Sequence, residues 1–432
     1  MAPARADGER RRLLYIAYFF PPLGGAGVQR TLKFVRYLPE FGWDATVVTG
    51  PASYWLRDDS LEGEVPPSVR VVRAPHWGSR FVGGGGRSTR RSASRIRGLR
   101  AVSRALLVPD AYVGWTVPAR RVLRDLLRVE RFDAVITTSS PDSTHLLGRW
   151  LHRSQQLPWI ADFRDPWTRR MSYAPPTELH HRVQQSLERS VLCEANRVVV
   201  TSDATRQDYL QLVPSLRPDS IVTITNGFDE GDFRDATEWM DASGLPNAPL
   251  RDCPILHAGQ LNPERPLETY LQGLRIFLER NDAAESARTL FLGGHYDADV
   301  EKVAEAGLSS MVEFSPSCPH RESVAALLRA RVLLLLEQDS ERGSLILPGK
   351  IFEYFRSGRP ILAVVPTDGA AANLVRSLDA GWVADPSRPE SVAEGLERLL
   401  RPDSVGPAPE VVQRFERRTL AGDLARLLDG VV

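Results

Sequence analysis

Three short stretches of this 432-residue chain combine residue types that can do chemistry. The first is Gly24-Gly25-Ala26-Gly27. Glycines let backbone N–H groups approach a ligand closely, and a helix starting here turns the positive end of its dipole toward a phosphate. The spacing is not GxGxxG and no Walker lysine follows, which argues against the standard NAD and ATP loops. A plain strand-to-helix turn explains the glycines equally well. The second stretch is Asp162-Phe163-Arg164-Asp165-Pro166-Trp167, two carboxylates and a guanidinium within four residues. Either an Asp–Arg salt bridge shapes the turn, or Asp162 and Asp165 position an acceptor hydroxyl. The third is Pro348-Gly349-Lys350-Ile351-Phe352-Glu353-Tyr354-Phe355. Pro348 and Gly349 suit the opening of a helix with free N–H groups. Ile351 and Phe355 then face the core, and Lys350 and Glu353 share another face at i, i+3. That pair is either a surface ion pair, or Lys350 and the helix terminus hold a diphosphate while Glu353 accepts both hydroxyls of a ribose.

Elements that could position these groups alternate along the chain. β-type runs are expected at Leu13–Tyr18, Asp44–Thr49, Val69–Arg73, Asp133–Thr138, Trp159–Asp162, Arg197–Thr201 and Ile221–Thr225. A helix with Val28, Leu32, Val35 and Leu38 on its inner face follows the first. The pattern lapses between Asp229 and Cys253, then resumes with strands at Pro254–Ala258, Thr289–Leu292, Val312–Phe314, Val332–Leu336, Pro360–Val364 and Gly381–Ala384. Helices are expected at Leu267–Glu279, Arg321–Leu328 and Val411–Leu428. Such alternation is that of parallel βαβ units, and it places all three stretches at carboxyl ends of strands, where open α/β sheets bind ligands. The expected division is a flexible start at 1–12, an N-terminal domain at 13–235, a linker at 236–250, a C-terminal domain at 251–408 and a closing helix at 409–432 that crosses back to the first domain.

Bulk properties narrow the function. The net charge of +1 excludes a global affinity for polyanions, and the arginines lack the interleaved aromatics of a nucleic-acid surface. Cys193, Cys253 and Cys318 are odd in number and show no CxxC spacing, as expected of reduced thiols. Apolar runs such as Val332–Leu336 are too short to span a bilayer. A cytoplasmic protein is expected. One segment departs from the pattern: 80–104 has four consecutive glycines, eight arginines and no Asp or Glu. Either it is a solvated excursion, or its second half, through Ile96, Leu99, Val102 and Leu106, is a basic amphipathic helix. Such a helix would meet the inner face of a membrane or a lipid-phosphate acceptor.

Several ordered motifs resemble glycosyltransferase family 4, in particular a bacterial branch of it. They are Tyr18-Phe19-Phe20-Pro21-Pro22-Leu23-Gly24-Gly25, Asp110 with Gly114-Trp115, Thr138-Ser139-Ser140-Pro141 with His145, and Asp162 to Trp167. They continue with Asn226-Gly227-Phe228-Asp229 and with Lys350-Ile351-Phe352-Glu353-Tyr354 followed by Gly358-Arg359-Pro360. The resemblance implies two Rossmann-like domains facing each other across a cleft, the glycosyltransferase B fold. It also implies a nucleotide-sugar donor held mainly by the C-terminal domain, with retention and without a metal or other cofactor. The acceptor stays open: a polysaccharide, a lipid-linked sugar or a small molecule.

By that resemblance Glu353 holds the ribose, and the first glutamate of the paired motif belongs eight positions earlier, where this chain has Leu345. The family's diphosphate-binding cations follow the first strand of the second domain. Here that region reads Gly259-Gln260-Leu261-Asn262-Pro263-Glu264-Arg265. Arg265 is one candidate, Gln260 stands where an arginine is common, and Lys350 compensates. Helix starts at Gly25 and Gly349 add positive ends. No catalytic histidine is expected near Asp162, and His145 reads as a helix-start residue. Asp162, Arg164 and Asp165 are the catalytic candidates, with Gly24, Gly25 and Gly27 as the phosphate or acceptor loop. Two other functions share this architecture: a sugar-nucleotide epimerase, and a catalytically silent partner of another transferase.

Overall fold

The computed structural model describes residues 10–52, 57–76, 107–243, 254–281 and 287–432. The segment 80–104 therefore lies outside the described residues, as do the first nine residues and Cys253. Two compact units emerge: 1–224 together with 420–432, and 225–419.

Unit 1 is built on seven parallel strands: β1 (Arg11–Ile16), β2 (Trp43–Thr49), β3 (Arg70–Arg73), β4 (Ala134–Thr138), β5 (Trp159–Phe163), β6 (Arg197–Val200) and β7 (Ile221–Thr223). Their order is β3-β2-β1-β4-β5-β6-β7. Its helices are α1 (Ala26–Tyr37), α2 (Thr116–Val129), α3 (Ser143–Gln155), α4 (Glu178–Glu194) and α5 (Asp203–Leu212). Successive side chains of a strand point to opposite faces, and β1 shows the result. Leu14 and Ile16 enter one apolar layer with Trp115, Leu123 and Leu151, whereas Leu13 and Tyr15 enter another with Leu32, Val35 and Leu38. A parallel sheet covered on both faces reads as continuous apolar runs for this reason.

Unit 2 repeats the plan with β8 (Ile255–Ala258), β9 (Thr289–Leu292), β10 (Val312–Ser315), β11 (Val332–Leu336), β12 (Ile361–Val364) and β13 (Gly381–Ala384), in the order β10-β9-β8-β11-β12-β13. Its helices are α6 (Glu230–Ser243), α7 (Leu267–Arg280), α8 (Asp297–Glu305), α9 (His320–Arg329), α10 (Lys350–Ser357), α11 (Ala370–Ser377), α12 (Pro389–Leu399) and the single turn α13 (Pro409–Val412). In β11, Leu333 and Leu335 serve one layer and Val332, Leu334 and Leu336 the other. Both sheets are the two Rossmann-like layers expected. In each, strand order reverses beside the first strand, between β1 and β4 and between β8 and β11, which is where such sheets open a ligand crevice.

Two expectations about the chain's organisation need correction. The stretch read as part of a linker contains α6, whose Phe233 and Ala236 are buried, with Trp239 and Met240 packed on the same layer. The boundary between units falls after Ile224 instead of after residue 235. The single closing helix is also interrupted: α13 passes into a 3-10 turn at Gln413–Phe415, and Glu416 is extended and bridges Phe228. Only then does α14 (Arg417–Asp429) begin. Its Leu420, Leu424 and Leu428 recur at i, i+4, i+8 and are buried in unit 1 beside Leu38 and Trp43. Each buried leucine contributes about 1.5–3 kcal/mol. Among the described residues no helix is long and apolar enough to cross a membrane.

Candidate functional site

In unit 2 the carboxyl ends of β8 and β11 gather four ionisable side chains. His257, the one polar residue of β8, is fully buried, and its Nδ1 lies 2.9 Å from the carbonyl oxygen of Leu334. That contact commits Nδ1 as the donor and leaves the Nε2 lone pair facing outward. Lys350 Nζ stands 3.2 Å from Nε2, and Arg265 Nη1 stands 3.5 Å from it. Burial, reinforced by these two cations, holds the imidazole well below its ordinary pKa, so it is neutral.

Arg265 also donates to the backbone oxygen of Gln260 at 2.7 Å and to Glu337 Oε1 at 3.2 Å. Glu337 directly follows β11 and is itself buried. Burial raises its pKa, while Arg265 and Lys350 oppose the rise. The Lys350 ammonium is pushed down to about 7 by burial and then by Arg265, against the attraction of Glu337 and Glu353. Two cations thus converge on one carboxylate and a neutral ring.

Backbone conformation leaves room above them. Gly259 has φ +106°, which side-chain-bearing residues rarely adopt, and a Cβ there would stand 3.2 Å from Lys350 Nζ. Helix α10 is pinned to β8 by Tyr354, whose hydroxyl accepts from the Ala258 N–H at 2.8 Å. Gly349 precedes α10, and a Cβ there would meet nothing within 4 Å. Glu353 points elsewhere: its Oε1 is 3.0 Å from His320 Nε2 on α9. The Gln260 side chain is exposed and lies against Gly294. Leu345 ends a 3-10 turn, Gly343–Leu345, so no carboxylate stands at the position of the first motif glutamate.

In unit 1 the glycine loop and the Asp162–Trp167 stretch meet at the carboxyl edge of the sheet. Asp162 pairs with Arg30 of α1, not with Arg164. Arg30 donates from Nη2 at 2.9 Å and from Nε at 3.2 Å, Thr138 adds a hydroxyl donor at 2.9 Å, and both charged side chains are almost wholly buried. With its oxygens so occupied, Asp162 ties α1 to β4 and β5; an acceptor-facing carboxylate is not what the geometry provides. Arg164 instead donates to the carbonyls of Ser139 and Ser140. Its guanidinium covers Gly27, where a Cβ would fall 1.3 Å from Nη1. Half-buried Asp165 lies close enough to favour the charged form of Arg164. Gly25 has φ +105° and, like Gly24, retains solvent exposure.

Two family-like residues have packing explanations. Asp110 accepts from the Ser143 N–H and the Tyr112 N–H, each at 2.8 Å, fixing the start of α3. His145 is fully buried, stacked on Phe163 with ring centroids 4.4 Å apart, and burial pushes its pKa to about 3.

Of the sequence candidates, the structure brings Arg265, Lys350 and the Gln260 backbone together in unit 2, and Arg164, Gly27 and Asp162 together in unit 1. Glu353 is hydrogen-bonded to His320 and acts on Lys350 through its charge. His257, Glu337 and Arg30 escaped the sequence reading. The first two carried a signal, a lone histidine inside an apolar strand and a carboxylate closing an apolar run. Arg30 carried none, since a helix arginine is ordinarily solvated.

Comparisons with known proteins agree with this layout. The profile of the "Glycosyl transferase 4-like domain" matches residues 24–227, and that of "Glycosyl transferases group 1" matches residues 253–402. A curated relative, alpha-maltose-1-phosphate synthase of Mycobacterium tuberculosis, is 26% identical over 225 residues, which cover 51% of this chain and 52% of the relative. The match therefore spans about half the length of that relative. Among solved structures, Anabaena Alr3699/HepE in complex with UDP and glucose superposes with a TM-score of 0.64 at 14% identity, covering 98% of this chain and 100% of its own. The UDP-GlcNAc 2-epimerase of Methanocaldococcus jannaschii superposes with a TM-score of 0.55 at 12% identity, over 97% of this chain and 99% of its own. At such identities these two structures speak to fold alone. The two profile matches follow the two units in order, and the chain belongs to the family 4 type of glycosyltransferases.

Proposed function

We propose that this chain transfers a sugar from a nucleoside-diphosphate donor to an acceptor hydroxyl, with retention and without a metal ion. The observation that carries the reading is the convergence of Arg265 and Lys350 at the open end of the second sheet. When the bond between the anomeric carbon and the β-phosphate oxygen breaks, its electron pair leaves with the diphosphate. Cations already in place stabilise that charge as it develops. The acceptor oxygen forms the new bond to the anomeric carbon, and in a retaining front-face route its proton moves to the departing phosphate oxygen. Retention rests on family likeness. Metal independence rests on the cations that stand where a metal would otherwise supply charge.

Within this reading Gly349 N–H and Gln260 complete the donor site, and Glu353 swings from His320 to the ribose. Gly24, Gly25, Gly27, Arg164 and Asp165 form the acceptor side, with Asp162 holding them in place. The UDP and glucose of the Anabaena structure support a nucleotide-sugar donor. A cytoplasmic location with peripheral membrane contact suits a lipid-linked acceptor.

The test is to incubate the protein with a panel of nucleotide sugars, with and without candidate hydroxyl acceptors, in EDTA. Acceptor-dependent release of nucleoside diphosphate, with the donor's anomeric configuration kept in the product, is expected. The epimerase fold match motivates a second reading. Conversion of a nucleotide sugar in the absence of acceptor would favour it and refute transfer.

A further inference from the structure

Unit 1 carries a second concentration of positive charge, away from the glycine loop and Arg164. Arg120 and Arg124 stand four apart on α2 and so share a face. Both lie over Trp150 of α3, with guanidinium carbons 5.6 Å and 5.5 Å from its ring centroid. Arg149 and Arg153, also four apart, reach from α3 to a single carboxylate, Glu194 at the end of α4, with closest contacts of 2.7 Å each. Burial acts to raise the Glu194 pKa, but the hydrogen bonds and charges of the two arginines hold it below its ordinary value. Helix α3 starts at the carboxyl edge of the sheet, so this cluster in its second half sits well along the helix from that edge.

A surface pocket of about 310 Å³ lies here, lined by Arg120, Leu146, Arg149, Trp150, Arg153 and Ser154. Four guanidinium groups border the region and Glu194 answers two of them. Among the described residues no carboxylate pairs with Arg120 or Arg124. The Nε of Arg120 is buried and meets no acceptor among the described residues. Burial pushes the Arg120 pKa down, and the like charge of Arg124 adds to it. An unanswered buried donor on a charged group is costly until something accepts from it.

We propose that this pocket binds a phosphate or diphosphate group. Guanidinium forks match phosphate oxygens in geometry as well as charge. Ser154 lines the rim with its hydroxyl donated to the Trp150 carbonyl at 2.8 Å, so the arginines are the donors, and the Trp150 ring offers an apolar face to whatever carries the phosphate. The group belongs either to a free phosphorylated small molecule or to a phospholipid headgroup; the recognising chemistry is the same.

The test uses the full chain carrying Lys350→Ala and Arg265→Ala, so that anion binding in unit 2 does not contribute. Inorganic pyrophosphate is titrated by calorimetry, and cosedimentation is measured with phosphatidylcholine vesicles with and without phosphatidic acid. Arg120→Gln and Arg153→Gln are then added singly, with melting temperature as the check on folding. One-to-one pyrophosphate binding weakened about tenfold or more by either change is expected, the loss of one charge-assisted hydrogen bond being of that size. Binding to phosphatidic acid vesicles alone, lost in Arg120→Gln, assigns the headgroup source and equally supports the site. Absence of both kinds of binding, or binding untouched by both substitutions in folded protein, overturns the proposal.

Discussion

The side-chain nitrogen of Lys350 lies 3.2 Å from Nε2 of a fully buried, neutral His257 whose other nitrogen is bound to the Leu334 carbonyl. The lysine is thereby fixed in position while its proton is loosely held, since burial and Arg265 push its pKa down to about 7. A bound diphosphate favours the ammonium. Below that pH the lysine is already charged, and above it a proton must be taken up on binding. Donor affinity is therefore expected to be flat below pH about 7 and to fall above it, by at most about tenfold per pH unit. Calorimetry in buffers of different ionisation enthalpy checks this by counting protons taken up near pH 8. Lys350→Arg is expected to flatten the profile, because an arginine stays charged.

Glu337 raises the Lys350 pKa by its own negative charge. Glu337→Gln removes that attraction, so the pH at which donor affinity begins to fall is expected to move lower. A profile that stays in place, measured as the pH dependence of donor KM, would mean Glu337 acts only as packing for Arg265.

Asp162→Ala leaves Arg30 charged, buried and without its carboxylate. Breaking a buried pair in this way costs about 3–5 kcal/mol. A large drop in melting temperature or urea midpoint is expected, beyond any effect on turnover. A variant as stable as the parent with normal geometry at β4 and β5 would instead return Asp162 to a direct role with the acceptor.

Gly27→Ala is expected to behave differently. The atoms a new methyl would strike belong to the end of the Arg164 side chain, which can swing away. Stability should change little, while the guanidinium leaves the carbonyls of Ser139 and Ser140. The expected readout is a lower kcat or a higher acceptor KM with an unchanged donor KM.

Much of the fold was legible because parallel strands buried on both faces leave uninterrupted apolar runs. Val332–Leu336, Thr289–Leu292 and Gly381–Ala384 were placed to the residue. Helix α6 was not, because Asp229, Gly231 and Asp232 before Phe233, and Gly244, Pro246 and Asn247 after the last turn, give the stretch the look of a linker. The break at Glu416 was hidden for the opposite reason: apolar spacing continues through it, and a backbone bridge to Phe228 sets the kink. At the site, sequence order pointed to Arg265 and Lys350 because family motifs flank both. It could not tell that Asp162 would pair with Arg30, 132 positions away, in preference to its neighbour Arg164.

The most direct test of the account is a titration of nucleoside diphosphates, with UDP, GDP and ADP compared, against the parent chain, Lys350→Ala and Arg265→Ala, paired with turnover. Saturable binding of one diphosphate by the parent is expected, weakened by each substitution. Turnover should fall at least about a hundredfold in Lys350→Ala, as loss of a charge-stabilising group would cause. Diphosphate binding and turnover unchanged in both variants would contradict the account.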